Sequence, residues 1–188
     1  MSLFIRARAF FRRQYFKRLS GNYSQMEGKP YLSQPLLIKG KGRVCIGKSV
    51  QLGYEPSPGF WTSYVYFDLR GEAALIKLGD GVLLNNNTSL TADGASIHIG
   101  KNTVAGVNLS ILTSDGHALS PTMRLLGQFP HLSVTIGENV FIGDNVMILK
   151  GVNIGKNSVI GAGSLVCSDI PENRIAAGNP CRVIRTLT

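Results

Sequence analysis

A period of six residues recurs along this chain and limits the folds that the chain can adopt. From Ile136 every sixth residue is aliphatic as far as Val166, and a shorter series of the same kind starts at Ile99. This period is neither that of a helix nor the simple alternation of an isolated strand. It is typical of short strands laid on the flat sides of a triangular coil, with the aliphatic side chains forming an inner column.

Three sides make one rung of about 18 residues, and successive rungs stack roughly 4.8 Å apart, as neighbouring strands do. Looser members of the series lie upstream at Ile46, Leu52, Leu78 and Leu84. The 22 glycines and the low charged fraction of 16% suit a coil with small residues at its corners. The sequence therefore predicts an all-β solenoid with protruding loops over most of the chain.

Several classes of protein are not expected from the composition. The chain has no run of eighteen apolar residues, so no membrane-spanning helix is expected. The first residues lack an apolar core that ends in a small-residue cleavage site, so no secretory signal is expected. The three cysteines Cys45, Cys167 and Cys181 show no metal-binding spacing, and their odd number fits a reducing cytoplasm.

Positive charge is concentrated in the first 29 residues. Seven basic residues stand there against Glu27 alone, a net +6 that leaves only +3 of the total +9 for the rest of the chain. Residues 3–19 are predicted to form a helix with two stripes, one aromatic (Phe4, Phe11, Tyr15) and one basic (Arg6, Arg13, Lys17). Either this helix lies on an anionic membrane, or it packs on its own solenoid end or a neighbouring subunit. No nucleic-acid motif accompanies the charge, so no nucleic acid is expected as a partner.

Two regions are predicted from these patterns. Residues 1–29 form the basic helix and its linker, and residues 30–188 form the solenoid domain. The segment 20–35 is rich in linker residues, and the hexads become recognisable near Leu36. Loop insertions are predicted at 54–70 and 117–133, where the period is interrupted. Loops that leave a solenoid often form its binding face, although packing against a neighbour is the alternative.

Three segments resemble a known family. Residues 111–118 (ILTSDGHA) precede the second insertion, and residues 160–171 (IGAGSLVCSDIP) and 176–185 (AAGNPCRVIR) close the chain. They resemble the hexapeptide-repeat acyltransferases, in the branch of maltose and galactoside acetyltransferases and polysaccharide O-acetyltransferases. The resemblance implies a left-handed parallel β-helix, acetyl-CoA as co-substrate, no metal, and a homotrimer with each active site between two subunits.

The resemblance also implies roles for individual residues. His117 matches the catalytic histidine, which removes a proton from the acceptor hydroxyl. Asn85 and Asp93 resemble residues that bind the acceptor, but one extra residue between them leaves Asn86 and Asn87 as alternatives. Asp115 either orients His117, binds the acceptor or simply makes a turn before a glycine. Asparagines at solenoid corners are an equally ordinary structural feature.

On the coenzyme side, the resemblance places pantetheine along small-residue corners and the nucleotide phosphates against arginines. The residues implied are Gly143, Ala162, Gly163, Cys167, Ser168, Arg182 and Arg185. Cys167 and Ser168 stand where relatives have Thr and Lys, so Lys150 or Lys156 would supply the missing charge.

The leading hypothesis is an O-acetyltransferase that acts on a sugar hydroxyl of a surface polysaccharide or its precursor, in the cytoplasm or at the inner face of its membrane. N-acetylation of an amino sugar nucleotide and a non-catalytic scaffold are the alternatives. A metalloenzyme of the carbonic anhydrase kind would need His98, His117 and His131 together, and their spacing does not favour it.

Overall fold

A computed structural model describes residues 3–21, 23–127 and 129–187 of the chain. A single helix, α1 (Leu3–Leu19), and a short 3-10 helix (Tyr23–Gln25) precede a long coil of short strands. The strands form three parallel sheets, one on each side of a triangular prism. The fold is a left-handed parallel β-helix of hexapeptide repeats, which confirms the predicted fold class.

The first three rungs contain nine strands. They are β1 (Met26–Glu27), β2 (Tyr31–Leu32), β3 (Leu36–Gly40), β4 (Arg43–Ile46), β5 (Gln51–Leu52), β6 (Val65–Arg70), β7 (Leu75–Leu78), β8 (Leu83–Leu84) and β9 (Ser89–Asp93).

The next three rungs have the same pattern and end in an antiparallel hairpin. Their strands are β10 (Ser96–Ile99), β11 (Val104–Ala105), β12 (Ser110–Leu112), β13 (Val134–Ile136), β14 (Phe141–Ile142), β15 (Met147–Ile148), β16 (Asn153–Ile154), β17 (Val159–Ile160) and β18 (Leu165–Val166); the hairpin is β19 (Arg174–Ala177) and β20 (Arg182–Thr186).

Each rung contributes one strand to each side of the prism. Side A contains β1, β4, β7, β10, β13 and β16; side B contains β2, β5, β8, β11, β14, β17, β19 and β20; side C contains β3, β6, β9, β12, β15 and β18. The corner between sides B and C is called the B/C corner below, and the corner between sides C and A is called the C/A corner.

The hexad positions form the inner column, as the period predicts. In the last two rungs the paired residues are 18 positions apart, as Ile136 with Ile154 and Ile142 with Ile160 show. These side chains are fully or almost fully buried, and together with the upstream hexad residues they make one continuous core. Side-chain burial along one column, repeated in every rung, is what stabilises the coil.

Small residues at the corners let successive rungs approach closely. A Cβ atom added to Gly100 would lie 2.5 Å from the carbonyl carbon of Gly137 in the next rung. At the B/C corner, Asn87, Asn108 and Asn145 all adopt positive φ angles, a conformation that asparagine tolerates better than most residues. Their amides form a ladder, with 2.9 Å from Asn87 Nδ2 to Asn108 Oδ1 and 2.8 Å from Asn108 Nδ2 to Asn145 Oδ1.

The structure gives three segments other bounds than the sequence analysis: the first rung and both insertions. The first rung begins at Met26, inside the segment read as linker, and its inward Met26 and Leu32 pack against the core. The first insertion, called the first loop here, spans residues 53–64, because 65–70 form strand β6 on side C. The second insertion, called the second loop, spans residues 113–133, from the end of β12 to the start of β13.

Helix α1 packs on its own coil through one face. Ala9 is buried, Phe16 packs on Tyr64 with ring centroids 4.7 Å apart, and Arg12 donates to the carbonyl oxygens of Phe60 and Ser63 at 2.9 Å. The opposite face is open: the predicted aromatic stripe of Phe4, Phe11 and Tyr15 has 77%, 69% and 61% of its surface exposed. The helix therefore caps the coil and still presents an aromatic surface.

Candidate active site

The C/A corner gathers several of the polar residues that the sequence analysis singled out. Asp93 ends strand β9, and Ser114 follows strand β12 one rung further on. Both residues are buried, and Ser114 Oγ donates to Asp93 Oδ2 at 2.8 Å. The backbone N–H of Asp93 also donates to Thr113 Oγ1 at 2.7 Å. The Asp93 carboxylate is thus held in one orientation at the base of the second loop.

His117, the predicted base, lies on the exposed part of this loop. Its Nδ1 is 3.4 Å from the carbonyl oxygen of Arg124. A carbonyl oxygen only accepts hydrogen bonds, so this contact favours the tautomer with its proton on Nδ1. Nε2 then keeps its lone pair, and within the described residues no hydrogen bond occupies it. This is the arrangement that a proton acceptor requires.

Asp115 forms an ion pair with Lys150 and not a hydrogen bond with His117. Lys150 Nζ lies 2.5 Å from Asp115 Oδ1 and 2.6 Å from Oδ2. Lys156 Nζ is likewise 3.5 Å from Glu172 Oε2. The two lysines considered as extra phosphate ligands are therefore both engaged by carboxylates of the same chain.

The three consecutive asparagines lie at the B/C corner and have different environments. Asn86 is fully buried and holds the first loop, and Asn87 belongs to the asparagine ladder. Asn85 is half-buried, and its Nδ2 donates to Ser57 Oγ at 3.0 Å. Of the three, Asn85 is the one that is half-buried and bonded to a side chain of the first loop.

The predicted acceptor-binding residues therefore fall at two different corners. Asn85 precedes strand β9 and Asp93 ends it, and five residues of a strand span about 17 Å. Asp115 and His117 lie at the same corner as Asp93, on the second loop. A single chain thus brings Asp93, Asp115 and His117 to one region, but it does not bring Asn85 to them.

The predicted coenzyme residues also form two groups. Gly143 and Ala162 stack at the B/C corner, where a Cβ atom on Gly143 would lie 2.6 Å from Ala162 N. Cys167 and Ser168 are exposed at the C/A corner. Arg182 and Arg185 lie on the exposed strand β20, and neither guanidinium forms a salt bridge with any residue that the structure describes.

His131 is a residue of this corner that the sequence analysis did not place in an acceptor site. Its Nδ1 lies 2.8 Å from the carbonyl oxygen of Asp93, and its backbone bridges to Ser114. No sequence signal could have found this contact. The path of the loop determines which of its residues packs back on the coil, and the hexad period does not extend into the loop.

Among the described residues, no group of three or more His, Cys, Asp or Glu side chains is arranged to hold a metal ion. No helix in the described part of the chain combines the length and the apolar character needed to cross a bilayer.

Comparison with known proteins confirms the resemblance seen in the sequence. Residues 133–168 match the family Bacterial transferase hexapeptide (six repeats). This chain carries the hexapeptide repeat. The matched residues cover the rungs in which the six-residue period is least interrupted, from the end of the second loop to just beyond strand β18.

Three relatives illustrate the similarity of this hexapeptide-repeat chain. A Saccharomyces cerevisiae protein provisionally named as an acetyltransferase is 51% identical over 113 residues, which are 60% of this chain and 57% of that protein. The galactoside O-acetyltransferase of Lactococcus lactis is 45% identical over 112 residues, which are 60% of this chain and 53% of that enzyme. The chain thus spans a little over half the length of these curated relatives.

The third relative is a solved structure. The maltose O-acetyltransferase of Clostridium difficile 630 superposes with a TM-score of 0.52 and 26% identity, over 96% of this chain and 88% of that one. The superposition therefore extends over nearly the whole chain.

Proposed function

We propose that this chain is an acetyl-CoA-dependent O-acetyltransferase that acetylates a sugar hydroxyl. The observation that carries the proposal is the environment of His117, whose Nδ1 faces a carbonyl oxygen and whose Nε2 is left without a hydrogen-bond partner among the described residues. The names of two relatives, a galactoside and a maltose O-acetyltransferase, support a sugar as the acceptor.

The reaction needs one proton acceptor and no covalent enzyme intermediate. His117 Nε2 takes the hydroxyl proton as the sugar oxygen attacks the thioester carbonyl carbon, and a C–O bond forms. The tetrahedral intermediate then collapses, the C–S bond breaks, and the imidazolium returns the proton to the departing thiolate. The products are the acetylated sugar and coenzyme A.

The coenzyme would bind along the corners and the last strand. Arg182 and Arg185 present guanidinium groups that have no carboxylate partner among the described residues, and such groups suit phosphates. Pantetheine would pass the B/C corner, where Ala162 is exposed and stacks on the buried Gly143, and Cys167 and Ser168 would line the far end. Because Lys150 and Lys156 are paired, the arginines supply the phosphate contacts in this proposal.

A homotrimer belongs to the same proposal, because one chain leaves the predicted site divided. A three-fold arrangement would put the C/A corner of one subunit, with His117, beside the B/C corner of its neighbour, with Asn85 and Gly143. Outward-facing apolar residues support contact between copies: Val104 and Phe141 on side B and Met147 on side C are 39%, 51% and 41% exposed.

We further propose that the open face of α1 contacts the inner face of an anionic cytoplasmic membrane. The exposed aromatic side chains of Phe11 and Tyr15, with Arg18 beside them, suit the boundary between headgroups and acyl chains. Such a location favours a surface polysaccharide or its lipid-linked precursor as the acceptor. Flotation with phosphatidylglycerol vesicles tests this: Phe4→Ser with Phe11→Ser should abolish binding, whereas unchanged binding would contradict the assigned face.

The decisive experiment is acetyl-CoA turnover, followed as free thiol, against galactosides, maltose, sugar nucleotides and lipid-linked glycans. His117→Ala should lower turnover at least about 100-fold, the usual minimum for a lost general base. His98→Ala is the matched control, because His98 lies on the outward face of side A, in strand β10.

The alternatives give different results in the same assay. Thiol release only with amino sugar nucleotides would favour N-acetylation. Absence of both turnover and coenzyme A binding would leave a non-catalytic scaffold. A monomer by light scattering that is fully active would contradict the trimer.

A further inference from the structure

The ring of His131 is held in one orientation beside Asp93. Nδ1 lies 2.8 Å from the Asp93 carbonyl oxygen, so the proton on Nδ1 is donated to that carbonyl. Phe129 packs against the ring at 4.8 Å between centroids. The His131 side chain remains 35% exposed, so a solute can reach the ring. Its Nε2 has no hydrogen-bond partner among the residues that the structure describes.

The Asp93 carboxylate presents a second unused atom at the same place. Its Oδ2 accepts from Ser114, but Oδ1 accepts no hydrogen bond from any described residue. The nearest cationic candidate is His131 itself, whose Nδ1 is 3.7 Å from Oδ1. Two fixed groups with free hydrogen-bonding capacity therefore lie side by side at the base of the loop that carries His117.

We propose that His131 joins Asp93, whose acceptor-binding role the family resemblance implies, in a subsite that binds two neighbouring hydroxyl groups of one sugar. One hydroxyl donates to Asp93 Oδ1, and the adjacent hydroxyl bonds to His131 Nε2. A hydroxyl group both donates and accepts, so the second contact forms with the neutral or the protonated ring. Groups held in place before binding pay little ordering entropy, which is what a specificity site needs. This inference rests on the proposed acetyl transfer to a sugar.

The surrounding charges are accounted for. Asp115 is neutralised by Lys150, and Arg70, the strand neighbour of Asp93, donates to Asp68 at 2.8 Å. Asp93 Oδ1 and His131 Nε2 therefore stay available at the base of the second loop, in addition to His117 Nε2, which the proposed reaction uses. If His131 had only a structural role, it would still form the Nδ1 bond. Its replacement would then not change the preference among sugars that differ by one hydroxyl.

The kinetic test uses methyl β-galactoside and its monodeoxy analogues. His131→Ala should raise KM for the galactoside at least tenfold and leave KM for acetyl-CoA within twofold. For one deoxy analogue, the kcat/KM of the wild type should be at least tenfold lower than for the galactoside. For His131→Ala the same comparison should give less than twofold, because the variant lacks the imidazole that binds the missing hydroxyl. His131→Gln should restore part of the discrimination, and His98→Ala is the control.

A binding test separates this inference from the proposed reaction. In protein labelled with 15N-histidine, methyl β-galactoside or maltose should shift the His131 Nε2 resonance, and Asp93→Asn should weaken the shift. A shift without turnover would support the subsite and contradict acetyl transfer. Turnover with an unshifted resonance, or with the same deoxy-analogue losses in His131→Ala as in the wild type, would overturn the subsite and leave the reaction standing. No turnover and no shift would overturn both.

Discussion

The two loops that leave the coil are held in opposite ways. The first loop is bonded along its length by buried side chains of other segments, whereas the second loop is bonded mainly at its base. The first loop therefore behaves as part of the fold, and the second presents its surface to other molecules. The difference separates a packing insertion from a binding insertion, which the interrupted hexads alone could not do.

Side-chain amides and a guanidinium secure the first loop. Asn86 Nδ2 donates to the carbonyl oxygens of Tyr54, Ser57 and Pro58 at 2.9, 3.0 and 3.0 Å. Gln34 Nε2 donates to Gly59 O at 3.0 Å and to Ser63 Oγ at 3.0 Å. Arg12 adds its two bonds from helix α1. Helix, loop and rung three are thereby joined in one unit.

The second loop closes at a narrow base. Ser114 and His131 form a bridge, and Leu132 N donates to Thr113 O at 2.8 Å. Beyond this base, Leu119, Leu125 and Leu126 are 77%, 90% and 63% exposed. Apolar side chains with so much exposed surface favour contact with a ligand or a second copy of the chain.

The largest expected change in stability comes from Asn86→Ala. The variant leaves three carbonyl groups and the Tyr54 N–H without their amide partner, so we expect a loss of about 3 kcal/mol in the free energy of unfolding. Urea unfolding at fixed protein concentration measures it. Thr122→Ala in the second loop is the control and should change stability by less than about 0.5 kcal/mol. Equal effects at the two positions would contradict the comparison.

A smaller loss, about 2 kcal/mol, is expected for Gln34→Ala. Gln34 is fully buried and its Nε2 serves several acceptors of the first loop, but part of the loop stays bonded to Asn86. Chymotrypsin digestion of the native variant should show new cleavage near Trp61, whose aromatic neighbours make the first loop a good substrate once it opens. Protection equal to that of the wild type would show that Gln34 does not hold the loop.

Arg12→Lys should cost about 1 kcal/mol, because a lysine cannot make both bonds of the guanidinium fork. Burial, and to a smaller extent the nearby charge of Arg8, lowers the pKa of Arg12 from its ordinary value. The group stays charged at neutral pH, so its contribution should be constant between pH 6 and 8 in thermal unfolding. A loss as large as that for Gln34→Ala would show that the helix, rather than the coil, holds the first loop.

The smallest effect on one chain is expected for Leu125→Ser with Leu126→Ser. These side chains are already exposed, so the free energy of unfolding at low protein concentration should change by less than about 0.5 kcal/mol. If the loop contacts another copy, the variant should lower stability only at high concentration, where association contributes. A loss of more than 1 kcal/mol that does not depend on concentration would mean that the tip packs within its own chain.

The repeated part of the fold follows directly from the sequence. Ile136, Ile142 and Ile148 lie on three successive sides of one rung, and each pairs with the residue 18 positions later. A coil with 18 residues per rung buries all of these aliphatic side chains. Helix α1 was also predictable with its full extent. The first rung was not, because Met26 and Leu32 carry no clear period and their corners contain Gly28 and Pro30.

The site was predictable only in part. The segment around His117 and the residues up to Arg185 could be matched to a family, because their resemblance lies in short motifs that are continuous in the sequence. Only the tertiary structure showed that the predicted site is divided between two corners. It also showed the ion pair of Asp115 with Lys150 and the contact of His131 with Asp93. Spacing along a chain determines which side of a coil a regular residue occupies. Where an insertion interrupts the period, long-range hydrogen bonds and packing determine which residues meet, and one chain's sequence pattern does not contain that information.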